Sequence, residues 1–104
     1  MAKMLKYMVV HNDPAISWKK VEENWAELAN VEKCQWVRTF FNRKQGVRYC
    51  YWLAPNERIL KSTFMDLKIP YESIVQVEET VPDLWGKRWK EHLAAEKTAS
   101  TRGN

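Results

Sequence analysis

The stretch Cys34–Pro55 reads CQWVRTFFNRKQGVRYCYWLAP, and its pattern decides the fold. Two runs rich in aromatic and β-branched residues flank a short polar turn that ends at Gly46, the signature of a β-hairpin. Strict alternation puts Trp36, Arg38 and Phe40 on one face of the first strand, with Val37, Thr39 and Phe41 on the other. In the second strand Tyr49, Tyr51 and Leu53 share a face, opposite Cys50 and Trp52. Large residues therefore occupy both faces. A strand pair that is apolar on both sides has to be covered twice.

Around the hairpin the chain reads as two similar halves. Met4–Val10 is an apolar strand, followed by the turn chemistry of His11-Asn12-Asp13-Pro14. Ser17 caps a helix in which Trp18, Val21, Trp25 and Leu28 recur at helical spacing, and the chain re-enters a strand at Gln35–Phe41. In the second half Val47–Leu53 is the strand and Ala54-Pro55 closes it. Asn56 caps a helix with Ile59, Leu60, Thr63, Phe64 and Leu67 on one face, which Pro70 ends. Ile74–Glu79 alternates apolar and polar residues as a last strand. Strand–helix–strand occurring twice, with the inner strands joined by a hairpin, predicts an α+β fold on the ferredoxin-like βαββαβ plan. Its antiparallel four-stranded sheet carries both helices on one face.

The other face is then bare. The hairpin parity assigns Val37, Thr39, Cys50 and Trp52 to the helices, and Trp36, Arg38, Phe40, Tyr49, Tyr51 and Leu53 to the open side. In the first strand either Leu5/Tyr7/Val9 or Met4/Met8/Val10 can face inward. An open patch of that size exceeds what a monomer ordinarily exposes. Two such sheets meeting face to face would bury it, so a homodimer of the dimeric α/β barrel type is expected.

Composition bounds the rest. At 104 residues the chain holds one domain, read here as 1–82, with a helical extension at 83–95 and a disordered tail at 96–104. In the extension Leu84, Trp85, Trp89, His92 and Leu93 recur at helical offsets among Lys87, Arg88 and Lys90. This amphipathic face suits packing on its own domain or on a protein partner. The net charge of +4 is spread along the chain: twelve Lys or Arg against ten Asp or Glu in 1–82, and five against three beyond. Mild, dispersed basicity disfavours a nucleic-acid binder. No apolar run is long enough to cross a bilayer, and Lys3 and Lys6 break any leader, so the cytoplasm is the expected location. In a reducing compartment Cys34 and Cys50 read as two buried thiols.

The hairpin and its flanks also resemble a known family. Trp36-Val37-Arg38-Thr39-Phe40, Tyr49-Cys50-Tyr51-Trp52-Leu53-Ala54-Pro55 and Ile69-Pro70-Tyr71-Glu72-Ser73-Ile74-Val75-Gln76-Val77 keep the order and spacing of its motifs. It is a family of small bacterial proteins of unknown function with a ferredoxin-like fold, one of which is described as nickel-binding. The resemblance covers about residues 4–80 and implies the dimeric α/β barrel as well. Two departures matter. Leu53 stands where the family usually carries Glu before Ala-Pro. The nickel-binding relative is rich in histidine, whereas this chain has only His11 and His92. Nickel favours several converging imidazole or thiolate ligands, so no metal ligands and no cofactor are assigned.

No Ser–His–Asp set, P-loop, GxGxxG or HExxH occurs. Arg38 is the sharpest functional candidate: a guanidinium among rings needs a counter-charge or a stacking partner. Trp36, Phe40, Tyr49 and Tyr51 surround it in this reading, with His11 at the end of the first strand as a further polar group. Together these six residues are the expected ligand site, suited to a small anionic or aromatic molecule. Glu78 and Glu79, on opposite faces of a strand, read as a solvated edge. The expected function is a non-enzymatic, dimeric small-ligand-binding, sensor or accessory module. The alternatives are a cofactor-independent monooxygenase- or isomerase-like enzyme and a metal-binding protein. Two polar groups are thin for catalysis, and no catalytic residue is assigned.

Overall fold

The computed structural model describes residues 3–82, 86, 88–91 and 93–95. Its elements run β1 (Leu5–Asn12), α1 (Trp18–Leu28), β2 (Gln35–Asn42), β3 (Val47–Ala54), α2 (Glu57–Asp66) and β4 (Ser73–Gln76). The strands form one antiparallel sheet in the order β2-β3-β1-β4. This α+β arrangement is compatible with the ferredoxin-like plan read from the sequence. Both caps are the ones the sequence marks. The Ser17 hydroxyl accepts from the Lys20 amide, and the Asn56 side chain accepts from the Ile59 amide.

Register settles which face each strand residue takes. Three rungs cross the sheet beneath the helices: Phe41–Arg48–His11, Thr39–Cys50–Val9–Ile74 and Trp36–Trp52–Tyr7–Gln76. The helices' aromatic contacts all land on this side. Phe64 of α2 meets Trp52 and His11 edge-on, while Trp18 and Trp25 of α1 pack on Phe41 and Trp36. Tyr7, Val9, Cys50, Trp52, Ala54, Leu60 and Phe64 form the sealed core. Of the two inward sets open for β1, Leu5/Tyr7/Val9 is the one used.

Trp36 corrects the sequence reading. It lies on the helix face, stacked on Trp25 at 6.0 Å, and not on the open face with Arg38. A bulge between Trp36 and Arg38 is the cause: Val37 is an extra residue, so alternation restarts after it. The last strand is also shorter than expected. β4 stops at Gln76; the Val77 amide still bonds the Lys6 carbonyl at 2.9 Å, and then the chain leaves the ladder. β1, in turn, continues through His11 and Asn12, which the sequence reading gave to a turn.

Two positions carry left-handed backbone. Gly46, at φ 70, ends the hairpin turn, and its carbonyl accepts from the Asp13 amide at 3.0 Å. A Cβ there would lie 2.4 Å from the Pro14 Cα, so only glycine lets the hairpin seat against the β1–α1 turn. Lys68, at φ 57, closes α2 in a Schellman motif: Ile69 N bonds Phe64 O and Lys68 N bonds Met65 O. Helix α2 therefore ends at Asp66, four residues before Pro70.

Among the described residues of the C-terminal extension, 89–91 and 93–95 are helical, with Trp89 and Leu93 largely exposed. Leu84, Trp85, His92 and the tail 96–104 lie outside the described residues.

The two left-handed sites should respond oppositely to substitution. Lys68→Gly should raise stability by about 1 kcal/mol by removing the left-handed penalty of an L-residue. Gly46→Ala should lower it by more than about 1–2 kcal/mol, because backbone strain and the Pro14 clash add. Urea unfolding of both variants beside the wild type checks the signs; two changes of the same sign would contradict this account.

Candidate functional site

The open face is built from two rungs. One runs Arg38–Tyr51–Met8–Val75 and the next Phe40–Tyr49–Val10–Ser73. Phe40, on the edge strand β2, is 61% exposed, and Tyr49, on the inner strand β3, is 44% exposed. After β4 the chain folds back across this face. Tyr51, two strands from β4, donates its hydroxyl hydrogen to the Glu79 carboxylate at 3.3 Å. The result is a concavity of about 430 Å³ lined by Met8, Arg38, Phe40, Tyr51 and the segment Val77–Thr80.

Arg38 sits in this concavity with no ion pair to a carboxylate among the described residues. Tyr51 lies between two opposite charges. Desolvation and the neighbouring Glu79 carboxylate push its phenol up, while Arg38 pulls it down. Glu78 and Glu79 are exposed, as expected of a solvated edge, and both also line this concavity. Strand alternation does not govern them, because β4 has already ended. Met8, Glu78 and Glu79 are the residues sequence reasoning missed. The signal was available only for Met8, through the second of the two parities open for β1.

The six expected site residues do not all converge. Arg38, Phe40, Tyr49 and Tyr51 share the open face, whereas Trp36 and His11 lie on the opposite side of the sheet. There the Trp36 indole N–H donates to the Thr39 hydroxyl at 2.7 Å, and that hydroxyl donates to Cys50 Sγ at 3.1 Å. Trp36 therefore anchors the bulge that aims Arg38 outward.

His11 is 2% exposed. Its Nδ1 lies 2.8 Å from the Pro70 carbonyl, which can only accept, so Nδ1 carries the proton. Nε2 is buried without a partner, and the ring stands edge-on to Phe64. Its cross-strand neighbour Arg48 is 4% exposed, and Asp13 supplies part of the compensating charge. Burial holds the His11 pKa below its ordinary 6.5; the Pro70 bond opposes this and Arg48 adds to it. His11 is a latch between β1 and the segment after α2.

Among the described residues no group of three or more His, Cys, Asp or Glu is arranged to hold an ion. The cysteines are free and buried, Cys34 against the Thr63 hydroxyl at 3.5 Å and Cys50 against Thr39. Burial pushes both thiols up, away from the thiolate a metal needs. The donors among the described residues do not form a nickel site.

The His11 latch predicts acid lability. A histidine whose folded pKa is depressed binds its proton more readily in the unfolded chain, so its contribution is complete above pH 6.5. That contribution is lost as pH falls from there through the folded value. Urea midpoints should drop between neutral and mildly acidic pH in the wild type. His11→Asn, which keeps a donor for Pro70, should flatten that drop; an unchanged slope would contradict the latch.

No helix among the described residues is long and apolar enough to cross a membrane. Comparison with curated proteins and with solved structures returns no match. A family model described as "Nickel responsive protein SCO4226-like" matches residues 7–77, which span β1 to the residue after β4 and include Arg38, Phe40, Tyr49 and Tyr51. The chain belongs to the nickel responsive protein SCO4226-like family.

Proposed function

We propose that this protein is a non-enzymatic, dimeric small-ligand-binding module in which two open sheet faces meet as an α/β barrel. One observation carries the reading: Arg38, without an ion pair among the described residues, stands in a concavity on a face that also exposes Phe40 and Tyr49. A lone surface ring needs no explanation, but rings contiguous over two rungs mark an interaction surface. Apposed sheets pack about 10 Å apart, close enough to bury the rings. Once water is excluded, the guanidinium requires an anionic partner, and a ligand carboxylate or phosphate fills its fork.

The family's description favours a second reading, nickel binding. The donors among the described residues oppose it within one chain, so such a site would draw on residues beyond them or on a second chain. Titration with Ni²⁺, followed calorimetrically, separates the readings. The ligand-module reading expects no stoichiometric uptake that depends on His11.

Charge placed in the middle of the open face should split the dimer. Sedimentation at micromolar concentration should show a wild-type dimer and a folded Tyr51→Glu monomer, while Arg38→Met stays dimeric. A wild type that is wholly monomeric would refute the barrel.

A further inference from the structure

The charges around the concavity specify more than an anion. Its lining holds one guanidinium, Arg38, and two carboxylates, Glu78 and Glu79, over a floor of Met8, Phe40, Tyr51 and Val77. Glu79 is tied to the Tyr51 hydroxyl and Arg38 is Tyr51's cross-strand neighbour, so the two poles flank one ring. They are not joined to each other in an ion pair. A plain anion such as phosphate would gain Arg38 but meet two carboxylates. A plain cation would gain the carboxylates but face Arg38. Only a molecule carrying both charges, separated by a short apolar body, satisfies the poles together.

We propose that the ligand is a zwitterion of the amino-acid type, its carboxylate in the Arg38 fork, its ammonium toward Glu78 and Glu79, and its side chain on Phe40 and Tyr51. The inference rests on the proposed small-ligand reading and narrows its ligand class. Guanidinium–carboxylate pairing is bidentate and directional, whereas the ammonium makes a less directional contact with the acidic segment. The rings beneath offer apolar contact and a π-face to the ammonium. Glu79 lies on the segment that crosses the face after β4, so the ammonium pole is supplied by a strap rather than by the sheet.

The test uses the full-length protein and amide NMR titrations with each common L-amino acid. The strongest binder is then compared with its N-acetyl form, which lacks the ammonium, and its amide, which lacks the carboxylate. Free amino acid should shift the Arg38, Phe40, Tyr51 and Glu79 amides. Each blocked form should bind at least about tenfold more weakly, as should the free amino acid to Arg38→Met and Glu79→Gln. Both residues are exposed in the single chain, and unchanged far-ultraviolet circular dichroism and sedimentation confirm that fold and association survive. If the N-acetyl form binds as well as the amino acid and only Arg38→Met abolishes it, the pocket is anionic: the zwitterion is refuted and the small-ligand reading stands. If neither free nor N-acetylated amino acids move these amides, the zwitterion is refuted; inorganic phosphate and benzoate, titrated in parallel, then decide the small-ligand reading, which falls if neither of them moves the amides.

Discussion

The architecture turns on β3. It is an inner strand of the sheet, apolar on both sides, and the two helices cover only one of them. Cys50, Trp52 and Ala54 are sealed beneath α2, while Tyr49, Tyr51 and Leu53 project from the back. Among the described residues both helices lie on one side of the sheet, and the other side is left open. The segment after β4 covers part of it by folding over Tyr51. Phe40 and Tyr49 remain outside its reach.

The helix face is more than a core. Phe64 touches His11, Trp52 and Tyr71, joining β1, β3 and the segment leading into β4 through one ring. The Schellman closure at Lys68 delivers the Pro70 carbonyl to His11, and the relay from Trp36 through Thr39 to Cys50 pins the β2 bulge. Each of these fixes something on the opposite side of the sheet. The bulge decides that Arg38 shares a rung with Tyr51, and the path into β4 decides where the Glu78-Glu79 strap begins.

Much of this was legible in the sequence. Hairpin, caps and strand order follow from local rules: aromatic runs around a turn at Gly46, and Ser17 and Asn56 before helical periodicity. Arg38, Phe40, Tyr49 and Tyr51 fall on the open face because alternation holds across β3 and the end of β2. What failed did so where alternation was interrupted. A bulge has no compositional mark, so alternation alone puts Trp36 on the wrong side; an early strand end has none either, so the sequence does not show the concavity that the exposed Glu78 and Glu79 line. His11 was misplaced for another reason. Its partner is 59 residues away in sequence, and no local pattern announces a latch of that span. The motif resemblance found the family that the family model confirms.

The central claim is that the open face is the working face. Hydroxyl-radical footprinting at rising protein concentration tests it residue by residue. Met8, Phe40 and Tyr49 should become protected together as the protein associates, while Trp18 and Phe41, on the helix side, keep their reactivity. Protection of Trp18 and Phe41 with Phe40 and Tyr49 still fully reactive would contradict the account.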